Sequence, residues 1–360
     1  MIWYVLGLLA LTLAVNHLSL LLGFVELSYT LTTGERDYEI GEEIPVVSTV
    51  ENNKLLSVSF LKVEEYFPPG FNLSKNVYSL FILPFQRVKR TYKIWGQKRG
   101  HYRVERAALA VGDFVGFSSE KKSVALAEGI VILPKKAKLA ESIVPLGPTG
   151  GDISVRRWII DDPLMTIGVR EYTGNEPQRF IHWPSTAKQG ELMVKKFDFT
   201  TDNSALIILN VETRKPCWLS IEEELIDEAV SLARGIMEEF EELKVPYGLA
   251  TNAYNEQTEE RGCYRHPGLG RRHLTSLLHT LGSINFRIPV FFENTLAEVG
   301  KRRGNYTTGV VVTPRLLESY QEPLSALAEA LPRTVVIAVA DQGLEDLNAK
   351  IIKYRGRENV

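Results

Sequence analysis

A long uncharged run near the amino terminus constrains this chain more than any other feature. Residues 2–25 contain no Lys, Arg, Asp or Glu, and most of them are apolar. A helix of about 24 residues is roughly 36 Å long, which exceeds the bilayer core of about 30 Å. The run therefore predicts a transmembrane anchor over residues 1–26. A cleaved signal peptide is the alternative, but no Lys or Arg precedes the run and no small-residue cleavage site ends it.

Outside that run the composition is that of an ordinary globular protein. The 360 residues include 42 basic and 44 acidic side chains, and the formal net charge is -2. This balance argues against a strongly basic nucleic-acid binder, so we expect no nucleic-acid partner. Two cysteines, Cys217 and Cys263, are too few for a disulfide framework. The length fits about two domains.

Residues 27–140 have the pattern of an antiparallel β-sandwich. Short alternating runs such as Ile44–Val50 and Val58–Val63 are separated by turn residues, and Val, Ile, Tyr, Phe and Thr dominate them. About a hundred residues with this spacing predict an immunoglobulin-like sandwich. A basic stretch over 87–106 has two interpretations. Its Lys and Arg side chains are either solvated outward positions of two strands or a surface for anionic lipid or a partner. Nucleic acid is a less favoured alternative for the same stretch.

Residues 201–345 show strands that alternate with helices. The apolar run over 204–211 is typical of a strand that is buried on both faces. An apolar stripe from Leu225 to Leu243, with acidic residues in its first turns, predicts a long amphipathic helix. Further strand and helix patterns follow as far as Ala340 and predict a doubly wound α/β domain. Residues 346–360 are interpreted as a basic tail.

Polar residues follow the predicted parallel strands. They are Asn210 and Glu212, Thr251 and Asn252, Thr313, and Asp341 and Gln342. Ligands bind at this edge of such sheets, although strands must in any case leave the core through polar loops. No phosphate-binding loop and no dinucleotide fingerprint accompanies these residues. We therefore predict no catalytic residue, no cofactor and no enzymatic activity.

A dense motif lies between the two domains, in residues 141–200. It contains Arg170-Glu-Tyr172-Thr-Gly174-Asn175 and Arg179-Phe-Ile-His182-Trp183-Pro-Ser185. The motif resembles the signature of the family called domain of unknown function 58, which has Arg-x-Tyr, Gly-Asp and Arg-x-Ile-His-Trp in this order. Asn175 departs from the signature, because the family usually has Asp there.

The resemblance extends over almost the whole chain. Gly41-Glu42, Arg99-Gly100-His101-Tyr102 and Asp113-Phe-Val-Gly116 are similar to further segments of the family. The resemblance implies a membrane segment, a sandwich and a von Willebrand factor A-like domain. The expected fold class is therefore α+β multidomain, with an N-terminal transmembrane helix, an antiparallel Ig-like β-sandwich and a doubly wound α/β von Willebrand factor A-like domain.

The same resemblance bears on metal binding. Many von Willebrand factor A-like domains hold a divalent cation with Asp-x-Ser-x-Ser, because hard cations need oxygen ligands. The matching positions here are Asn210, Glu212 and Arg214, so the resemblance implies a degenerate site without a metal. Cys263-x-x-His266, followed by His273 and His279, has ligand types that suit zinc. Its spacing matches no standard finger, so we predict no zinc there either.

The motif residues suggest a latch. Arg170 and Arg179 can pair with carboxylates or bind backbone carbonyls. His182 and Trp183 face opposite sides in an extended chain, so we expect His182 to hydrogen-bond and Trp183 to pack. The motif would dock the segment onto the α/β domain, and a partner-binding surface is the alternative. The candidate interaction or latch residues are Arg170, Tyr172, Gly174, Arg179, His182, Trp183 and Ser185.

Members of the resembled family are often encoded beside MoxR-type AAA+ ATPases. The resemblance therefore implies a MoxR-type AAA+ ATPase as partner, with other membrane proteins and the lipid membrane. We expect a non-enzymatic, membrane-tethered interaction or adaptor protein that serves the assembly or activation of membrane or envelope complexes, with cytoplasmic soluble domains. Two alternatives stay open. One is a hydrolase or transferase that uses the strand-end crevice, and the other is an extracellular adhesion module.

Overall fold

The computed structural model divides the chain into two compact units, Met1–Lys135 and Lys136–Val360. Residue 140, the predicted end of the first domain, thus lies within the second unit. The structure describes residues 2–34, 37–113, 118–146, 166–173, 178, 181–197, 204–217, 219–331, 333–340, 343–344, 347–348 and 350–356.

The first unit contains one helix and two antiparallel sheets in its described residues. The sheets have the strand orders β1-β2-β5 and β4-β3-β6-β7. The elements are α1 Ile2–Leu21, β1 Leu27–Thr33, β2 Glu43–Asn52, β3 Val58–Tyr66, β4 Lys75–Ile82, β5 Arg87–Trp95, β6 Gly100–Gly112 and β7 Ser119–Ile132. Side chains from both sheets share one apolar core, which explains why the two sheets stay together.

Strand β2 shows how the sequence encodes this core. Ile44, Val46, Ser48 and Val50 are buried, and the residues between them are more exposed. A strand places alternate side chains on opposite faces, so this spacing directs one row of side chains inward. A register slip of one residue would turn the whole row toward solvent, which is why the pattern specifies the pairing of β2 with β1 and β5.

Helix α1 joins the sandwich through its last turns. Asn16 Nδ2 donates to Asp113 Oδ2 at 2.8 Å, and Lys54 Nζ donates to the carbonyls of Gly23 and Val25 at 2.7 Å each. Among the described residues, no helix has both the length and the apolar character needed to cross a bilayer. The predicted transmembrane helix is therefore wrong. Polar contacts with the sandwich begin at Asn16. The part of α1 ahead of Asn16 has about 14 residues and is therefore roughly 21 Å long.

The second unit is built around a seven-stranded mixed sheet with the order β13-β12-β11-β14-β15-β16-β8, and β9 pairs with β10 in a two-stranded sheet. Strands β11, β12, β14, β15 and β16 are parallel, whereas β13 and β8 run antiparallel at the edges. The elements are α2 Leu139–Ser142, β8 Ile143–Leu146, β9 Thr166–Glu171, α3 Trp183–Gln189, β10 Met193–Phe197, β11 Ala205–Leu209, α4 Glu223–Glu242, β12 Tyr247–Asn255, β13 Glu260–Gly268, α5 Arg271–Ser283, α6 Phe292–Lys301, β14 Thr308–Arg315, α7 Gln321–Ala330, β15 Arg333–Ala340 and β16 Ile351–Gly356, with 3-10 turns at Arg303–Asn305 and Glu318–Tyr320.

The fold-class prediction is wrong as stated. More of the described residues lie in strands than in helices, and the large sheet is mixed rather than the parallel sheet of a doubly wound domain. We therefore do not retain the von Willebrand factor A-like assignment. Apolar runs such as 204–211 reveal the central strands, but β13 carries charged residues such as Glu260, Arg261 and Arg265 and escaped recognition.

Two segments also depart from the predicted domain boundaries. Residues 351–356, predicted as part of a basic tail, form β16 between β15 and β8. Residues 143–146, assigned to the motif segment, form β8 against β16. Ile351 and Tyr354 are buried, so this strand belongs to the core, although its neighbouring Lys and Arg residues gave it a basic composition.

Helices α4, α6 and α7 cover the large sheet. Helix α4 contacts β11, β12, β14 and β15, and its buried residues include Ile226, Val230 and Phe240. Helices α6 and α7 share an apolar core with β11, β14 and β15. The parallel strands thus end at one common edge, from which the loops to α4, α6 and α7 depart.

Candidate functional site

Three uncharged polar side chains meet at the ends of the central strands. Asn210 follows β11, and its Nδ2 donates to Thr313 Oγ1 at 2.9 Å. Asn252 Nδ2 donates to Asn210 Oδ1 at 3.0 Å. Asn210, Asn252 and Thr313 are all buried. Because parallel strands end at the same edge, residues far apart in sequence bond to one another here, and their role is to satisfy buried polar groups.

Glu212 is a fully buried carboxylate beside these residues. Its Oε2 accepts the Tyr320 hydroxyl at 2.6 Å, and its Oε1 accepts the backbone amide of Phe292 at 2.9 Å. Burial and then the negative charge of Glu212 raise the pKa of Tyr320 far above its usual range. The Tyr320 hydroxyl therefore stays protonated and acts as a hydrogen-bond donor.

Lys215 supplies a positive charge to this edge. Its Nζ lies 2.5 Å from Glu293 Oε1 and 3.5 Å from Glu212 Oε2. It also lies 4.8 Å from the centre of the Phe291 ring and 5.6 Å from that of Tyr320. Burial lowers the pKa of Lys215, but its hydrogen bond to Glu293 and the charge of Glu212 outweigh burial and raise it. The ammonium group is therefore held charged between two carboxylates and two aromatic rings.

A second ionic group surrounds Glu222, which precedes α4. Arg315 Nη2 donates to Glu222 Oε2 at 2.9 Å, and Arg214 Nη2 donates to Glu222 Oε1 at 3.4 Å. The hydrogen bond from Arg315 lowers the pKa of Glu222 despite the opposing effect of burial. Arg214, the third of the degenerate metal positions, is thus ion-paired with Glu222.

The sequence-derived metal positions have other hydrogen-bond partners. Asn210 bonds Thr313, Glu212 bonds Tyr320, and Arg214 pairs with Glu222. Across the described ranges, no group of three or more His, Cys, Asp or Glu side chains has the arrangement of a metal site. The absence of a metal at these positions stays a prediction that a titration would test.

The cysteine and histidine residues weighed for zinc are engaged elsewhere. Cys263 Sγ lies 3.4 Å from Glu260 Oε2, and burial raises the pKa of its thiol to about 11. His266 packs edge-on against Tyr264, and His273 Nε2 lies 2.7 Å from the Tyr247 carbonyl. The thiol is therefore protonated at neutral pH in this environment, with Glu260 as its neighbour.

Large apolar side chains are exposed on the strand-end loops. Leu219 and Ile221, in the loop ahead of α4, are 67% and 47% exposed, and Phe291, ahead of α6, is 47% exposed. Lys215 contacts the Phe291 ring, and Leu219 and Ile221 follow Lys215 in the same loop. Large exposed apolar side chains on such loops are typical of a protein-binding surface. We call Leu219, Ile221 and Phe291 the apolar rim.

The motif segment forms a small antiparallel pair with a helix between its strands. His182 caps α3, since Ser185 N donates to His182 Nδ1 at 3.2 Å and Ser185 Oγ lies 2.8 Å from the same nitrogen. The His182 amide donates to the Met193 carbonyl at 2.7 Å, and Tyr172 N donates to the Leu192 carbonyl at 2.8 Å. The prediction that His182 hydrogen-bonds is confirmed, and its role is to cap a helix.

Trp183 is exposed, which corrects the prediction that it packs. Its side chain is 64% exposed, because it begins a seven-residue helix that buries none of its residues. Arg170 is exposed on β9, and its Nη1 donates to the Glu171 carbonyl at 3.1 Å. The structure thus brings Arg170, Tyr172, His182, Trp183 and Ser185 into one small substructure. Gly174, Asn175, Arg179, Asp341 and Gln342 lie outside the described residues.

Sequence reasoning missed Lys215, Glu293 and Tyr320 as members of the strand-end site. Lys215 follows Glu212 by three residues, so local spacing offered a signal. Glu293 and Tyr320 reach the site from about 80 and 110 positions away, and no local pattern marks them. The exposed Leu219 and Ile221 could have been noticed as apolar residues in a loop with polar neighbours.

Comparison with known proteins leaves the chain without an assigned family. No family model matches it, and no curated protein matches it. Solved structures with a partial likeness include the crystal structure of the CARDB domain of the PF1109 protein from Pyrococcus furiosus in complex with di-metal ions. It has a TM-score of 0.20 and 14% identity and covers 28% of this chain and 91% of that chain.

Two further likenesses are of the same order. The solution NMR structure of the same CARDB domain has a TM-score of 0.19 and 14% identity, and covers 28% of this chain and 95% of that chain. A beta-glucosidase from Listeria innocua in complex with gluconolactone has a TM-score of 0.17 and 13% identity, and covers 29% of this chain and 16% of that chain. These scores are too low to transfer a fold or a function.

Proposed function

We propose that this chain is a non-enzymatic protein-interaction module that binds its partner through the apolar rim. One observation carries the proposal. At the strand ends, the polar side chains of Asn210, Asn252 and Thr313 are buried and bonded to protein groups, whereas large apolar side chains are exposed. A hydrolase or transferase that used this edge of the sheet would need the reverse arrangement, with an activated nucleophile and a base open to a substrate.

The partner that we propose is a MoxR-type AAA+ ATPase. Support for this choice comes from the motif around Arg170, His182 and Trp183, which resembles the domain of unknown function 58 signature. A cytoplasmic location of both units follows from this partner and belongs to the same proposal. The rim suits a partner surface with apolar side chains, and Lys215, which is ion-paired with Glu293, ties the loop that carries Leu219 to α6.

Binding between the purified full chain and a purified MoxR-type ATPase, measured by isothermal titration, tests this proposal. Leu219→Ser combined with Ile221→Ser should weaken binding at least about ten-fold, because buried apolar anchors carry most interface energy. The control is Leu55→Ser, since Leu55 is an 80% exposed leucine of the first unit. The Leu55→Ser variant should bind the ATPase with the affinity of the unsubstituted chain.

Two results would count against the proposal in different ways. Equal affinities for the rim variant and the unsubstituted chain would exclude the rim as the binding surface. No binding by the unsubstituted chain, at protein concentrations where folding is verified by circular dichroism, would exclude this class of ATPase as the partner.

A further inference from the structure

A groove of about 430 Å³ lies between helices α6 and α7. Leu296 and Leu327 contribute apolar surface to it, and the small residues Ala297, Gly300 and Ala326 leave its space open. A Cβ atom built at Gly300 would meet nothing within 4 Å. Small side chains in this arrangement allow another backbone to approach α6 and α7 closely.

The two helices run in the same direction. Helix α6 begins at Phe292, whose amide donates to Glu212, and α7 follows Tyr320, whose hydroxyl donates to the same carboxylate. Both helices therefore begin at the edge where the parallel strands end. Their amino-terminal dipoles add at this end of the groove and their carboxyl-terminal dipoles add at the other end.

Charged side chains mark the two ends of the groove. Glu293 and Glu322 line it in the first turns of α6 and α7, and Lys301 lines it in the last turn of α6. Glu293 is already paired with Lys215, so Glu322 is the carboxylate that is more open to a partner. Lys301 Nζ lies 3.9 Å from Glu298 Oε2, but its side chain is 77% exposed, so this surface pair leaves it accessible. The groove thus has an acidic end and a basic end, separated by about 12 Å along α6 at 1.5 Å per residue.

We propose that this groove binds an amphipathic helix of a partner protein, antiparallel to α6 and α7. Its apolar side chains would lie over Ala297, Gly300 and Ala326, with an acidic residue in its first turn near Lys301 and a basic residue in its last turn near Glu322. These charges also suit the dipole of the bound helix itself. Apolar anchors at helical spacing with complementary flanking charges constitute a common mode of peptide recognition. The inference rests on the proposed interaction function and adds a second contact surface to it.

Two synthetic peptides of about 14 residues, or about four helical turns, provide the probe. Both carry leucines at i, i+3, i+4 and i+7 positions. One has glutamates in its first turn and lysines in its last turn, and the other has these charges exchanged. Fluorescence anisotropy of the labelled peptides with the full chain should show binding of the first peptide. The exchanged peptide should bind at least about ten-fold more weakly, because its charges oppose those of the groove.

Gly300→Leu should block the groove, and a second leucine substitution on the same helix serves as its control. The leucine fills open space and replaces a helical glycine, so the substitution should not destabilise α6. It should weaken binding of the first peptide at least about ten-fold. Asn294→Leu puts the same side chain on α6 at an exposed position outside the groove and should leave binding unchanged. Ala326→Leu on α7 should reproduce the loss.

The outcomes separate this inference from the apolar rim. Equal binding by both peptides, binding that Gly300→Leu and Ala326→Leu leave intact, or no binding of either peptide would overturn the groove proposal. The Leu219→Ser, Ile221→Ser variant should bind the first peptide normally, since the rim lies outside the groove. If neither peptide binds but the ATPase still binds through the rim, the groove proposal is refuted and the proposed function is not.

Discussion

Glu65 in the sandwich and Glu212 at the strand ends are both completely buried, yet they are surrounded differently. Glu65 accepts the hydroxyls of Tyr29 at 2.7 Å and Tyr78 at 3.1 Å, the hydroxyl of Tyr92, and Asn76 Nδ2 at 2.8 Å. Glu212 accepts one tyrosine hydroxyl, one backbone amide and, at 3.5 Å, Asn252 Nδ2, and the Lys215 ammonium lies 3.5 Å away.

The location of the donors separates the two roles. Tyr29 and Tyr92 come from β1 and β5 of the three-stranded sheet, whereas Glu65 and Tyr78 come from β3 and β4 of the four-stranded sheet. Glu65 therefore links the two sheets from inside the core. Glu212 is linked to the surface instead, because Lys215 extends from an exposed loop that also carries Leu219. A buried carboxylate thus stabilises the core in one unit and positions a binding loop in the other.

Of the changes considered, alkaline pH should reduce the stability of the sandwich the most. Burial, followed by the charge of Glu65, raises the pKa of Tyr29 far above its usual range, and burial is also the main cause of the raised pKa values of Tyr78 and Tyr92. In the unfolded chain these phenols ionise near pH 10. Their stabilising contribution is therefore fully present below about pH 10 and is lost as the pH rises above it.

We expect the sandwich to unfold cooperatively in alkali, with phenolate absorbance and loss of the β-sheet circular dichroism signal appearing together. Hydrogen exchange of peptides from β3 and β4 would assign the transition to the first unit. Tyrosines exposed to solvent ionise gradually near pH 10 in any case, so the cluster accounts only for the phenolate absorbance that appears with the circular dichroism transition. Ionisation of all 14 tyrosines near pH 10 with unchanged circular dichroism would contradict the buried cluster.

Glu65→Ala should produce the next largest effect. It removes the acceptor of the buried Tyr29 and Tyr78 hydroxyls and of the half-buried Tyr92 hydroxyl, and each unsatisfied buried group costs about 1–3 kcal/mol. We expect the free energy of unfolding of the first unit to fall by about 3–5 kcal/mol, measured by urea denaturation. Glu51→Ala is the control, because Glu51 forms an exposed pair with Arg87 and should cost less than about 1 kcal/mol. Similar losses in both variants would show that Glu65 does not link the sheets.

Lys215→Met should have the smallest effect on stability and a clear effect on binding. Glu212 keeps its hydrogen bonds to Tyr320 and Phe292, and solvent screens the ion pairs of Lys215, which is 33% exposed. The unfolding free energy of the second unit should therefore fall by only about 1 kcal/mol. Partner affinity should fall because the loop with Leu219 loses its contact to Glu293. Lys215→Arg, which keeps the charge, should restore part of the affinity, and an unchanged affinity in Lys215→Met would argue against a positioning role.

Local patterns predicted several elements closely. The alternating run Ile44–Val50 lies within β2, the apolar run 204–211 contains β11, and the helix predicted from the stripe Leu225 to Leu243 is α4, Glu223–Glu242. Each of these elements has a strong periodicity within one stretch of chain. Local patterns failed for β8, β13 and β16, whose place in the sheet depends on pairing with distant strands.

The residues of the candidate site also differ in whether a local pattern could predict them. Asn210 and Glu212 could be nominated because they directly follow a buried apolar strand. Their partners could not, since Thr313 and Tyr320 reach them from about 100 positions away. The exposure of Trp183 was equally hidden, because a tryptophan in an extended pattern is usually expected to pack, and only the short helix α3 carries it outward.

By itself, the sequence determined the periodic elements, the apolar strands and the polar residues that follow them, because these features depend on side chains that are neighbours along the chain. The tertiary structure alone decided that α1 ends in polar contacts with the sandwich, that the large sheet has antiparallel edges, and that Lys215 lies between Glu212 and Glu293. The physical reason is that register, strand direction and ion pairing are set by contacts between distant segments, and their free energy is gained only when those segments meet.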